Sequence, residues 1–299
     1  MSDLDPRALP LKISLPALEK DVFEMRAIKN ALLTVMVWCI GLLASIPLFS
    51  VIYMLIVEGG ARIDYEALTT IPPAGFEMGG GFGNAIIGTL VMVFIAAALS
   101  IPIGIMAAIY LSVLEPNSKV ATISRFLAKV LTGFPSILAG VFVYAVIVIT
   151  TGTYSAWAGG VALAVLMLPT VTLASEEAMR QVPQKMKDAA FGMGCTRTQV
   201  IFNVVLPTGL PGILTGVILA VAGAAGESAP LLFTALFSNY YMGELAEPTA
   251  SLSILIYNFS GMPFDNQIEL AWSASLVLVV LVLFFNILAR VVGRSKFRE

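Results

Sequence analysis

One carboxylate lies inside the long apolar runs of this 299-residue sequence. Glu227 occurs in AAGESAPLLFTALF (224–237), among small and aliphatic residues. A charged side chain within a membrane segment is costly, so such a residue indicates a functional site by default. Two interpretations stay open. Either Glu227 pairs with a cation of a partner and forms a gate, or it accepts hydrogen bonds where the helix breaks between Gly226 and Pro230.

Three hydroxyl groups near the same segments are candidates for holding an anion. Ser136 lies in TGFPSILAG (132–140), and Ser228 and Thr234 follow Glu227. We predict that they belong to one site together with Glu227, which would line a translocation path if the chain is a transporter. An intramembrane enzyme with a serine nucleophile is disfavoured, because the sequence has no histidine and no lysine in the apolar runs to act as base. Catalytic and metal sites are therefore not predicted.

A second candidate site is the polar interval 175–207, which separates two apolar segments. Pro183 suits the first turn of a helix, where its missing N–H costs nothing. The predicted helix runs through Ala190 and ends at Gly192 or Gly194 in a left-handed conformation.

A capping box is predicted just after that glycine. Thr196 to Gln199 reads Thr-x-x-Gln, a pattern that starts a second helix. Pro207 is expected to close this helix. The interval is therefore predicted to form two short helices joined by a glycine elbow on the membrane surface.

The composition sets the class of protein that must position these groups. The chain is 58% hydrophobic and 12% charged, with a mean hydropathy of +0.92. A soluble domain of this size has about twice that charged fraction. A helix needs about 20 apolar residues to cross a bilayer. Six runs qualify, namely 31–57, 84–113, 130–150, 157–174, 209–236 and 270–290.

Basic residues alternate between the two sides of these spans. Sixteen of the seventeen lysines and arginines lie in the N-terminal tail, in loops 114–129 and 175–207, and in the C-terminal end from Arg290, and the exception is Arg62. The positive-inside rule then places both termini in the cytoplasm. The predicted organisation is a cytoplasmic tail, a first span, an extracytoplasmic loop, a core that contains the 175–207 loop, and a cytoplasmic tail. The corresponding ranges are 1–30, 31–57, 58–83, 84–292 and 293–299.

Three local features refine the spans. Gly133 and Pro135 are expected to break or thin the third span near its cytoplasmic side. Pro169 is expected to interrupt the end of the fourth. Gly212-x-x-x-Gly216 offers a small surface for close helix contact in the fifth, within the chain or with a partner.

The 175–207 interval resembles the EAA loop of ABC-importer permeases. In that family the loop reads Glu-Ala-Ala, three residues, Gly, nine residues, Ile, one residue, Leu-Pro. The matching positions here are Asp188, Ala189, Ala190, Gly194, Val204, Leu206 and Pro207. Asp for Glu and Val for Ile are conservative departures. The resemblance implies that the loop docks on an ATPase subunit and couples ATP hydrolysis to transport.

Residues 80–292 also resemble the A-type permease of phosphate importers. The similar segments are IPIGIMAAIYLSVLEP (101–116), AAGESAPLLFTALF (224–237) and EPTASLSILIYNFS (247–260). The resemblance implies an all-α, MetI-like permease with six transmembrane helices in a bacterial inner membrane. It also implies a C-type permease partner, two ABC ATPase subunits that bind ATP and Mg, and an extracytoplasmic phosphate-binding protein. Neither a cofactor in this chain nor a nucleic-acid partner is expected.

The chain departs from that family at one position, and two alternatives remain. The family pattern has an arginine four residues before the glutamate, where this sequence has Gly223. An internal Arg–Glu pair is therefore not expected. The alternative cargo is another oxyanion, such as molybdate, tungstate or a phosphonate. A secondary transporter that works alone would need ion-coupling groups in the membrane, and the apolar runs supply only Glu227.

Overall fold

The computed structural model of the protein describes residues 25–295, with side chains described as far as residue 287. Predictions for residues 1–24 and 296–299 lie outside the described residues. Within the described range every regular element is a helix. In chain order these are α1 (Met25–Gly60), α2 (Tyr65–Thr69), α3 (Gly83–Ile109), α4 (Lys119–Thr132), α5 (Ser136–Val143), α6 (Ala156–Arg180), α7 (Gln184–Gly192), α8 (Arg197–Val200), α9 (Leu206–Gly226), α10 (Ala229–Thr234), α11 (Leu252–Ser260) and α12 (Asp265–Ser295).

Three π-helical turns extend these elements. They cover Tyr110–Leu114 after α3, Tyr144–Val148 after α5, and Ile201–Val205 between α8 and α9, and a last α-helical turn, Ile149–Thr151, follows the second of them. The last turn makes α8 and α9 one continuous helix over residues 197–226. Wide turns of this kind often occur at functional sites.

The chain divides into two compact units, residues 1–53 and 54–299. In the first unit the described residues, 25–53, all belong to α1. The second unit contains the last turns of α1 and all the other helices of the described chain.

Between residues 25 and 295, five helices are long and apolar enough to cross a membrane. They are α1, α3, α6, the continuous helix 197–226 and the described part of α12. A sixth span exists if α4 and α5 count as one broken span, and these two meet at an angle of 105°. The predicted all-helical membrane protein is confirmed, with the third span broken.

The boundaries of the third span were wrong. The prediction began this span at residue 130, whereas α4 starts at Lys119 and the chain turns sharply at residues 133–135. The predicted break at Gly133 and Pro135 is present. Helix α4, which precedes the break, was not predicted. Lys119, Arg125 and Lys129 lower the hydropathy of this segment, so that it resembles a loop.

Two prolines expected to end helices lie inside them instead. Pro169 falls within α6, which continues to Arg180. Pro207 follows the π-helical turn, where the Leu206 N–H donates to the Ile201 carbonyl. The widened turn accommodates the proline ring without breaking the helix. The second short helix of the 175–207 loop is therefore the first part of a transmembrane helix.

Helix α6 forms the centre of the second unit, between α3 and α9. Met92 and Ala96 of α3 pack against Leu163 and Met167 of α6 in the main apolar core. On the other side, a Cβ at Gly212 would lie 2.7 Å from the Cβ of Ala178. A Cβ at Gly216 would lie even closer to the Cβ of Ala174. The small surface of the fifth span is thus used within the chain, because it brings α9 against α6.

The predicted extracytoplasmic loop 58–83 has a defined structure. It contains α2 and a turn in which Gly79 and Gly80 have positive φ values of 82° and 71°. Asn266 at the start of α12 donates to the carbonyl of Glu77 at 2.8 Å. These contacts hold the loop at the end of the unit where α3 and α12 begin.

Candidate functional site

Helix α7 ends in the glycine elbow that the sequence predicts. Gly194 has φ of +86°. The Gly194 N–H donates to the Phe191 carbonyl at 2.9 Å, and the Cys195 N–H donates to the Ala190 carbonyl at 3.1 Å. This pair of hydrogen bonds is the Schellman motif, which requires a left-handed residue at this position. The end of α7 is therefore fixed by local hydrogen bonds.

The capping box that follows is also confirmed. The Thr196 N–H donates to Oε1 of Gln199 at 2.8 Å, and the Gln199 N–H donates to Oγ1 of Thr196 at 3.4 Å. The box starts α8 directly after the elbow. Leu206 and Pro207, the last two positions of the matched pattern, lie at the start of α9.

The two alanines of the pattern face opposite ways. Ala190 is 3% exposed and belongs to an apolar cluster with Met179, Val182 and Val200. Ala189 and its neighbour Asp188 are exposed. Ala190 therefore seats α7 on its own chain, and Ala189 belongs to the surface that α7 presents outward.

Apolar side chains flank that outward surface. Met186 and Phe191 on α7 are exposed, and Met193 is 79% exposed. These side chains lie in a polar interval between two spans. Neighbouring exposed apolar groups of this kind mark a site that contacts a protein or a membrane. We call the surface formed by Met186, Ala189, Phe191 and Met193 the α7 face.

One lysine beside the α7 face has a shifted pKa. Burial lowers the pKa of Lys187 from its usual 10.5, and the neighbouring Asp188 carboxylate partly opposes this shift. Asp188 also accepts a hydrogen bond from Nε2 of Gln184 at 2.8 Å. A partner that docks on α7 therefore meets an ordered acidic group beside a partly desolvated amine.

The second candidate site is a cavity of about 370 Å³ between two helix breaks. One break separates α4 from α5 at residues 133–135, and the other separates α9 from α10 at Glu227 and Ser228. Ser136 and Glu227 both line the cavity. Its other lining residues are Leu131, Thr132, Phe134, Leu166, Met167, Thr170, Leu219, Ala220, Gly223 and Ala224. The structure thus brings together two of the four residues predicted for the path.

Glu227 ends α9 with extended backbone, at φ −74° and ψ 125°. Its carbonyl accepts a hydrogen bond from the Ser253 hydroxyl at 2.9 Å. The predicted helix break between Gly226 and Pro230 is therefore present. A Cβ at Gly223 or Gly226 would meet no atom within 4 Å. The α9 surface next to Glu227 is consequently open within the described chain.

The other two hydroxyls lie away from the cavity lining. Thr234 is fully buried, and its hydroxyl donates to the Pro230 carbonyl at 2.8 Å within α10. Ser228 is half-buried and is the N-terminal flanking residue of α10. Thr234 thus satisfies its hydroxyl locally and is not among the residues that line the cavity.

A buried ionic cluster near α7 was missed by sequence reasoning. Nε of Arg125 lies 2.6 Å from Oε1 of Glu176, and Nε of Arg180 lies 3.4 Å from the same oxygen. Glu176 is 4% exposed. The four-residue spacing of Glu176 and Arg180 is a helix-pair signal in the sequence. Arg125 lies 51 residues earlier, and no local pattern connects it to Glu176.

Comparisons with known proteins agree with this architecture. Residues 100–298 match the family model described as "Binding-protein-dependent transport system inner membrane component". The chain is 35% identical over 268 residues to "Phosphate transport system permease protein PstA" of Yersinia pestis, covering 90% of this chain and 91% of that protein. It is 38% identical over 261 residues to "Probable phosphate transport system permease protein PstA" of Methanocaldococcus jannaschii, covering 87% and 92%.

Solved structures share the fold at lower identity. A bacterial ABC transporter involved in import of the acidic polysaccharide alginate aligns with a TM-score of 0.61 and 16% identity, over 94% of this chain and 99% of that chain. The MetNI methionine ABC transporter in an inward-facing conformation aligns with a TM-score of 0.58 and 20% identity, over 73% and 95%. These matches confirm the predicted MetI-like permease fold. The chain belongs to the family of binding-protein-dependent transport system inner membrane components, within its group of PstA permeases.

Proposed function

We propose that this chain is the permease subunit of an ATP-driven importer of inorganic phosphate, a multi-pass protein of the bacterial inner membrane. The observation that carries the transport role is α7, a short helix that is fixed at its end by the Gly194 elbow and presents exposed apolar side chains between two spans. The names of the relatives support phosphate as the cargo over other oxyanions.

The α7 face docks on an ABC ATPase subunit. The chain has no P-loop, so ATP and Mg are bound by partner subunits, of which the complete importer has two. Met186, Phe191 and Met193 supply apolar contact area, and Asp188 supplies a charged group at its edge. ATP-driven movement of the ATPase is transmitted to the membrane helices as a rigid-body displacement of α7.

A second permease subunit, a C-type paralogue, covers the open side of the cavity. A carboxylate cannot face lipid tails without a large cost. Glu227 lies beside an α9 surface on which Leu219 is 65% exposed and Gly223 is open. A partner permease that carries a cation at this level neutralises Glu227 and closes the path between the two subunits.

Phosphate crosses at this interface and is held weakly. Ser136 is the first residue of α5, whose N-terminus carries the positive end of the helix dipole. The described cavity lining contains no lysine or arginine. A site built from a hydroxyl and backbone N–H groups suits passage, because selectivity then resides in the extracytoplasmic binding protein.

The orientation follows from the charge distribution. The basic residues support cytoplasmic termini and a cytoplasmic α7. The opposite end of the molecule is acidic, since loops 58–83 and 237–269 together contain eight acidic residues and a single basic one, Arg62. This acidic surface faces the binding protein and discourages free phosphate from entering without it.

Copurification tests the proposal. The tagged chain, expressed with its neighbouring transporter subunits, is expected to bring down a second permease and an ATPase from detergent extracts. The ATPase activity of that complex is expected to rise with phosphate-loaded binding protein. Stimulation by molybdate or tungstate instead would support an ABC importer whose substrate is another oxyanion. A chain that purifies alone would contradict the transporter role.

A further inference from the structure

The ionic cluster around Glu176 connects three parts of the chain near α7. Glu176 is in the last turns of α6, and Arg125 is in the middle of α4. Besides Glu176, the Arg125 guanidinium donates to the Pro116 carbonyl at 2.9 Å and to the Leu111 carbonyl. A single side chain thus links α6 and α4 to the connection between α3 and α4.

Both side chains of the Arg125–Glu176 pair are largely buried, which carries a desolvation cost. The side chain of Arg125 is 17% exposed and that of Glu176 is 6% exposed. Buried ion pairs gain little net stability over a hydrophobic pair, whereas loss of one partner leaves an uncompensated charge. Apolar packing would hold two helices together more cheaply. The pair therefore calls for an explanation beyond stability.

The position of the pair suggests that explanation. Towards α7, Met179 of α6 packs in the same apolar cluster as Ala190 of α7 and Val182 of the connection. Towards the cavity, α4 continues to Leu131 and Thr132, which line it, and then to the break at residues 133–135. The pair lies between the α7 face and one wall of the cavity.

We propose that the Arg125–Glu176 ion pair is the joint that makes α4 follow the end of α6, so that displacement of α7 moves the wall of the cavity. This inference rests on the proposed coupling of α7 to an ATPase. Arg125 and Glu176 are positioning residues, because neither lies among the cavity-lining residues. The charge-assisted hydrogen bond is directional and short, so it transmits movement that apolar side chains would absorb by sliding.

The test compares two isosteric variants one residue apart in the purified importer. Glu176→Gln removes the buried charge. Glu177→Gln makes the same chemical change at an exposed position, where Oε1 accepts only from Nε2 of Gln181. Each complex is assayed for phosphate transported per ATP hydrolysed. Backbone hydrogen exchange of residues 131–138 and 184–192 is measured with and without a non-hydrolysable ATP analogue.

We expect Glu176→Gln to assemble and to lower the phosphate transported per ATP by roughly 2- to 30-fold, the range of coupling energies seen for such positions. ATP analogue is expected to change exchange at both segments in the wild type and in Glu177→Gln. In Glu176→Gln the change at 131–138 is expected to be lost while that at 184–192 remains.

Arg125→Lys covers the case in which Glu176→Gln fails to assemble. The lysine keeps the charge and loses the forked contacts, so an intermediate transport ratio is expected. The proposed joint would be contradicted if either variant transported the wild-type amount of phosphate per ATP and showed wild-type exchange. Failure of both variants to assemble would also contradict it. An unresponsive 184–192 segment in the wild type would overturn the proposed function itself.

Discussion

Gly140 of α5 lies directly against Pro230 of α10. A Cβ at position 140 would be 2.6 Å from Cα of Pro230, a distance that real Cβ atoms do not adopt. The helix after the first break therefore packs on the helix after the second, backbone against backbone. This contact fixes the relative position of the two breaks that enclose the cavity.

Gly140→Ala is expected to destabilise the protein, because the methyl group must push α5 away from α10. Overpacking of this kind costs about 1–3 kcal/mol. The thermal midpoint of the detergent-solubilised chain is the measurement. Gly133→Ala is the matched control, since its nearest neighbour would be 3.7 Å away, an ordinary contact. Equal midpoints for both variants would contradict the close approach.

Glu227→Gln tests whether the carboxylate works as a charge. If Glu227 pairs with a cation of the second permease, the isosteric amide is expected to lower phosphate uptake by at least tenfold while the complex still assembles. A buried charge pair that loses one partner costs about 3–5 kcal/mol, which is sufficient for that effect. Uptake is measured with labelled phosphate in reconstituted vesicles. Normal uptake would contradict the proposed gate. Glu227 would then be only the residue at which α9 ends.

Gly223→Arg is expected to be tolerated, because a Cβ at this position has no neighbour within 4 Å in the described chain and the residue lines the cavity. The new cation would lie one helical turn before Glu227 and enter the same cavity. Gly216→Arg is the contrasting variant, since its side chain would collide with Ala174. Size-exclusion chromatography and thermal midpoints distinguish the two. A Gly223→Arg chain that aggregates like Gly216→Arg would show that the α9 surface is covered.

Ala189→Arg and Ala190→Arg separate docking from folding. Ala189 belongs to the α7 face, so an arginine there is expected to abolish ATPase binding while the chain remains folded. Ala190 is buried in the chain's own core, and an arginine there is expected to unfold the loop. Recovery of the ATPase in copurification and limited proteolysis of residues 181–196 are the two measurements. ATPase recovery that is unaffected by Ala189→Arg would contradict docking through α7.

Gly194→Pro is expected to abolish transport without preventing membrane insertion. Proline fixes φ near −65°, whereas residue 194 has φ of +86°. The substitution also removes the N–H that donates to the Phe191 carbonyl. α7 then loses its fixed end and no longer presents its face. Wild-type uptake in this variant would show that the elbow is dispensable.

Local signals explain which parts of the structure could be predicted. The Gly194 elbow and the Thr196–Gln199 capping box depend on residues within one turn of each other, and both are present as predicted. The break at Gly133 and Pro135 follows from the permissive backbone of glycine and from the missing N–H of proline, and it was also predicted. Helix α4 was not, because its charged residues hide an amphipathic helix that hydropathy alone counts as loop.

Long-range packing explains the rest. The sequence shows Ala189 and Ala190 as equivalent small residues, and only the approach of Met179 and Val200 makes one of them a core residue. Thr234 was expected on the path, yet a carbonyl four residues earlier satisfies its hydroxyl. Arg125 and Glu176 come together because α4 packs beside α6, a contact that no periodicity encodes.

The central claim is that α7 couples ATP hydrolysis to phosphate passage through this chain. The most direct measurement is labelled phosphate uptake into proteoliposomes that contain the whole importer, with binding protein outside and ATP inside. We expect uptake that requires ATP and binding protein in the wild type and falls to background in Ala189→Arg. Uptake without ATP, or undiminished uptake in Ala189→Arg, would contradict it.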